Sequence, residues 1–203
     1  FPTQWPWHRS VYARVIKELD AAGAKVVGFD LVFKGESHDL EDEQAFIDAL
    51  AGAKCKVILG YDFDFKALAP GLPSDGILKT GALTGMLNTL IDEDSVIRKM
   101  RTSFSIEGRE YYSFSMTIAG AYLGTEPQSL SAKIKKVTDR RFQLSSQFID
   151  NYFYINYWFK PDRDRNAVTV VSIYDIVNNM DKLKAEHGPD FLRGSAVIVY
   201  PAA

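Results

Sequence analysis

The residues of this chain best suited to chemistry are carboxylates, and Asp30 leads them. It interrupts the apolar run Lys25-Val26-Val27-Gly28-Phe29-Asp30-Leu31-Val32-Phe33. An acid near the end of a buried parallel strand faces the crevice where open α/β sheets bind ligands. Such a group suits a ligand or a metal, and it equally suits a structural network in which backbone donors or an Arg satisfy it. Asp62 and Asp64 alternate with Phe63 and Phe65, which places both acids on one strand face, as a metal pair or as a solvated edge. Asp92-Glu93-Asp94 followed by Arg98 reads as a turn with local ion pairing. Trp5 and Trp7 with Arg9 could line a cation or sugar site, or pack as a lid over the core.

Other chemistries find no support. No Gly-rich loop has the spacing that cradles phosphate. His8, His38 and His187 stand alone, so no zinc constellation is visible. The single cysteine, Cys55, lies between Lys54 and Lys56 and reads as a small residue at a strand entry rather than an activated thiol. No serine sits in a nucleophile elbow. No cofactor is expected.

The elements that must position these groups follow from periodicity. Tyr12, Val15, Ile16, Leu19 and Ala22 fall on one helical face from Arg9 onward. The run around Asp30 then reads as a strand covered on both faces. Glu36 to Asp42 is an acidic loop whose charges favour the start of a helix carrying Phe46, Ile47 and Leu50 inward. Val57 to Tyr61 is a second buried strand, and strand-helix-strand in this order argues for a parallel sheet with a right-handed crossover.

Ala69 to Gly76 reads as a surface loop, and Lys99 to Ile106 alternates like a half-exposed strand. Glu107-Gly108-Arg109-Glu110 turns into Tyr111 and Tyr112, and a helix is predicted from Ser113 to Leu123. Lys133 to Arg141 is a basic strand face, and Tyr152 to Phe159 is a β-prone aromatic run. Ser172 is predicted to cap one helix with Ile173, Ile176, Val177, Met180 and Leu183 inward. Ala196 to Tyr200 reads as a last buried strand. The fold class is therefore mixed α/β, a largely parallel sheet flanked by helices with an antiparallel hairpin region.

The chain has 203 residues, 46% of them hydrophobic and 25% charged, with a formal net charge of -2. That composition fits a globular body and gives no reason to expect nucleic acid as a partner. No apolar stretch approaches the roughly 20 residues that span a bilayer.

Several of these stretches together resemble the second type of CHASE domain, an extracellular sensory module of bacterial receptors. Trp5-Pro6-Trp7-His8-Arg9-Ser10-Val11-Tyr12-Ala13 and the run from Ala21 to Phe33 are similar to the family's opening. Gly85-Met86-Leu87-Asn88 with Asp92 to Arg98 resembles its Asn, Asp-x-Asp-Gly and Arg segment, although Ser95 stands where the family has Gly. Tyr112-Ser113-Phe114-Ser115 resembles its hairpin-to-helix entry. Ile155-Asn156-Tyr157, Val170 to Ile176 and Phe191-Leu192-Arg193-Gly194 resemble its C-terminal part.

The resemblance implies one extracytoplasmic sensory domain over residues 1–203, with an N-terminal strand and transmembrane anchors outside them. It implies a cytoplasmic cyclase or kinase in the same chain as partner, a small-molecule or peptide ligand, and a homodimer as a further open partner. The walls of the binding crevice would be Trp5, Trp7, Arg9, Asp30, Asn88, Asp92, Asp94 and Arg98, with Asn156 and Tyr157 beside them. Two other readings stay open: a soluble α/β enzyme holding a divalent cation between Asp30 and Asp62 or Asp92, and a dimerisation module without a ligand.

Overall fold

The computed structural model describes residues 7–89, 91–130, 152–154 and 169–201. Its centre is a parallel four-stranded sheet in the order β10-β1-β2-β5, made of β1 (Val26–Val32), β2 (Lys56–Tyr61), β5 (Leu83–Met86) and β10 (Ala196–Val199). With small antiparallel pairs beside it, this is the expected mixed α/β class.

Helices α1 (Arg9–Ala21) and α2 (Leu40–Gly52) pack against each other on one sheet face. Tyr12, Val15, Ile16 and Leu19 from α1 and Phe46 and Leu50 from α2 meet Val27, Phe29 and Leu31 there. Three short helices, α3 (Asp75–Leu78), α5 (Ile173–Asn178) and α6 (Met180–His187), add Ile77, Ile176 and Leu183 to the same core. Tyr12 meets Phe29 and Phe33 edge-on at 5.9 and 5.2 Å between ring centroids, a favoured aromatic geometry. The α2 start is fixed by Asp39, which accepts the N–H groups of Glu41 and Asp42, and by three acids in its first turn.

Helix α4 (Phe114–Leu123) covers the opposite face, over β1, β2 and β5. Two glycines allow it. A Cβ on Gly85 would stand 2.5 Å from the Phe114 Cα, and one on Gly28 would stand 2.6 Å from the Ile118 Cδ1. Gly85 meets helix backbone, so a side chain there would push α4 off the sheet, whereas Gly28 meets only side-chain ends.

Above the carboxyl ends of β2 and β5 sits a smaller apolar unit. Hairpins β3 (Phe63–Asp64) with β4 (Ala69–Pro70), and β7 (Ser103–Ile106) with β8 (Arg109–Tyr112), bring Phe63, Phe104 and Tyr111 onto Tyr61 and Met86. Strand β6 (Lys99–Arg101) pairs antiparallel with β9 (Tyr152–Tyr154).

Five expectations need correction. The strand around Asp30 is covered on both faces only as far as Gly28, where Ile118 and the ring tip of Phe114 reach it, and Asp30 and Val32 beyond are exposed. The last strand, β10, is not buried throughout; Val199 is, while Ala196 and Ile198 are exposed on the α4 side. Strand β5 was not foreseen, since Thr84 and Gly85 dilute its apolar signal. The loop from Ala69 to Gly76 carries β4 and the start of α3. The single helix after Ser172 is two, broken at Asn179 with φ -134° and ψ 32°. The basic stretch from Lys133 to Arg141 and most of the aromatic run after Tyr154 lie outside the described residues.

Candidate functional site

The polar groups of chemical interest stand in four separate places. The first is Asp30. It is exposed, and it stands within a register irregularity between Phe29 and Val32. Such irregularities re-aim side chains at sheet edges. Its carboxylate has no hydrogen bond or ion pair among the described residues. Phe29 pairs in register with Val199, so Tyr200 lies one residue beyond on the neighbouring strand.

The second is a buried polar network at the amino end of α1. His8, at the N-cap position, supplies no side-chain cap. Asp42 from α2 does so instead: its carboxylate accepts the N–H groups of Arg9 and Ser10, both at 2.7 Å, and the Ser37 hydroxyl at 3.1 Å. Burial would raise the Asp42 pKa, but these hydrogen bonds outweigh it and hold the carboxyl below its ordinary value.

The Arg9 guanidinium turns inward to the Glu43 carboxylate and to the Gly35 carbonyl at 2.9 Å. Glu43 also accepts the Ser37 N–H at 3.0 Å and the Ser74 hydroxyl at 2.8 Å. Arg9, Asp42, Glu43 and Ser74 are all buried, and α1, α2, α3 and the loop after β1 are joined through them.

The third place is Asn88. Its amide oxygen accepts the Phe63 N–H at 2.7 Å and its amide nitrogen donates to the Phe63 carbonyl at 3.2 Å. Asn88 therefore pairs with β3 as a strand residue would and sets the position of the aromatic unit. The fourth is the loop after it. Arg98 donates to Asp92 at 3.0 Å and to both oxygens of Asp94 at 2.7 and 2.6 Å, all on the surface. The hydrogen bonds from Arg98 hold Asp94 below the ordinary carboxylate range, and Arg98 is in turn held above its own. Ser95 takes φ +64°, so the geometry a glycine would favour is kept without one.

Of the other sequence candidates, Trp7 packs against the main core with its ring 6.3 Å from Tyr12. Trp5, Asn156 and Tyr157 lie outside the described residues. Asp62 and Asp92 are not brought to Asp30 as a metal set; among the described residues no three His, Cys, Asp or Glu groups are so placed. Cys55 is buried, and burial followed by the nearby Asp20 pushes its pKa up to about 12, far from an activated thiol.

A Trp7-flanked α1 leading into a strand with an exposed acid near its end, followed by the Asn88 clamp and the Asp92–Arg98 loop, is the arrangement on which the family comparison bears. The CHASE2 domain model matches residues 2–203. This chain belongs to the CHASE2 domain family. CHASE2 is a sensory domain family of signalling receptors, typically extracellular. No curated protein and no solved structure matches the chain. Among the described residues of this CHASE2 domain, no helix is long and apolar enough to cross a membrane.

Sequence reasoning missed Asp42, Glu43, Ser37 and Ser74. One signal was available: Arg9 stands in the first turn of a helix, where the macrodipole disfavours a cation, so a carboxylate partner was required. Which carboxylate answers it depends on how α1 meets α2, and no local pattern records that.

Proposed function

We propose that this CHASE2 domain is the extracytoplasmic input module of a membrane-anchored receptor, a single unit that binds a small-molecule or peptide stimulus and regulates a cytoplasmic cyclase or kinase in the same chain. The observation that carries the reading to a site is Asp30, a carboxylate without a partner among the described residues at the carboxyl end of a parallel strand. Crevices of α/β sheets lie at such ends. In this reading Asp30 faces the stimulus, while Trp5, Trp7, the Asp92, Asp94 and Arg98 loop, Asn156 and Tyr157 form outer walls. Arg9 and Asn88 act through the backbone they hold.

A stimulus can shift the receptor only by binding its two states with different affinity. The network at α1 suits that requirement, because a change at the sheet edge that moves the loop after β1 moves α1 and α2 with it.

The test has two stages. A thermal-shift screen of the 203-residue chain against amino acids, sugars, amines and divalent cations finds binders, since a ligand at a hundredfold excess over Kd stabilises by about 2.7 kcal/mol. Each binder is then applied to the full-length receptor while its cyclase or kinase output is measured. The reading expects at least one binder to change output several-fold, and the change to be lost in Asp30→Asn. Output that ignores every binder, or turnover of a substrate by the isolated chain, would reject it.

A further inference from the structure

The sheet face around Asp30 has a chemistry of its own. Gly28 on β1 and Ala196 and Ile198 on β10 point toward the α4 side, since Val27, Phe29, Val197 and Val199 point to the main core. Asp30, between Phe29 and Leu31 of that core, is exposed, as are Val32 and, beyond β10, Tyr200. Side chains of α4, Ile118 and the ring tip of Phe114, reach β1 at Gly28, and Asp30 and Val32 beyond it are exposed. Val32 on β1, Ile198 on β10 and Tyr200 just beyond β10 are 45%, 53% and 49% exposed. On the same edge of the sheet Asp30 is exposed, with no ion pair or hydrogen bond among the described residues.

The geometry points to a binding site for an organic cation with an apolar body, such as an aryl-alkyl amine, held at Asp30 and lying over Ile198, Tyr200 and Val32. Two complementarities select that class. A lone carboxylate gives a charge-assisted hydrogen bond to an ammonium group and repels an anion. The Tyr200 ring can take the cation over its face or the apolar body against it, and Ile198 and Val32 are removed from water by the same body. A sugar or other neutral polar ligand would leave these apolar surfaces without a match. This inference rests on the sensor reading for its purpose but not for its test.

Phenethylamine is the probe, with phenethyl alcohol and phenylacetate as controls of the same body and different charge. Binding to the 203-residue chain is followed by calorimetry. The expected result is saturable binding of phenethylamine, at least tenfold weaker binding of phenethyl alcohol, and none of phenylacetate. Asp30→Asn should weaken the amine at least tenfold, and Tyr200→Ala should weaken it several-fold; both positions are exposed, so both variants should keep the wild-type melting temperature. The proposal is overturned if neither phenethylamine nor a longer aryl-alkyl amine binds, or if Asp30→Asn binds them as well as wild type does. A neutral or anionic compound that binds the chain and drives receptor output would overturn the amine class while leaving the sensor reading intact.

Discussion

Arg9 and Asp42, 33 residues apart, are joined by a backbone-to-carboxylate hydrogen bond of 2.7 Å that begins a helix to which Asp42 does not belong. The acid lies in the first turn of α2, so the amino ends of two helices converge on one buried carboxylate. Both macrodipoles favour a negative charge there. The arrangement makes the start of α1 dependent on the packing of α2 rather than on its own capping residue.

Removing that carboxylate should therefore act as the loss of a helix cap and of a buried acceptor together. Asp42→Ala is expected to lower stability by about 1–3 kcal/mol in urea unfolding. The acid limb carries a second signature. The Asp42 pKa is lower in the folded chain than its ordinary value of 3.8, so its contribution is complete above that value and is lost as pH falls through the folded one. Asp42→Asn should thus show a smaller loss of stability than wild type between neutral pH and about pH 2.5.

Arg9 and Glu43 form the charged centre of the same network, both with side chains largely out of water. Arg9→Met leaves the Glu43 carboxylate buried with hydroxyl and amide donors but no cation. A loss of about 3–5 kcal/mol is expected for breaking such a pair from one side. The double variant Arg9→Met/Glu43→Met should recover a large part of it. A double-mutant cycle by denaturant titration reads the coupling directly, and strictly additive losses would contradict the buried ion pair.

The approach of α4 to the sheet gives a third expectation. Gly85→Ala places a methyl group against the Phe114 backbone, and overpacking of this kind costs about 1–3 kcal/mol. Gly52→Ala, at the end of α2 with open space around it, is the control and should leave stability unchanged or raise it slightly. Equal effects of the two substitutions on the thermal midpoint would show that α4 does not rest on Gly85.

The readability of these elements varied for identifiable reasons. Helix α1 and strands β1 and β2 carry strong periodic or continuous apolar patterns, and α4 has Ser113 before it accepting the Met116 N–H. Strand β5 has a single large buried side chain, Met86, and its place in the sheet comes from pairing with β2. The stripe from Ile173 to Leu183 is real in burial, yet Asn179 breaks the helix within it, and side-chain spacing alone does not register one backbone interruption. For β10, apolar residues on both faces suggested full burial, but being apolar does not require a cover.

The sequence by itself determined the class of fold, the strand that bears Asp30 and the family likeness, because apolar period, capping residues and motif order are properties of neighbours along the chain. Only the tertiary structure decided which acids are matched and which are not. Asp42 and Glu43 are matched by donors because the ends of α1, α2 and α3 converge, and Asp30 stands open because α4 starts over β5 and its side chains meet β1 at Gly28. Convergence of element ends depends on packing across the sheet, where residues distant in sequence meet.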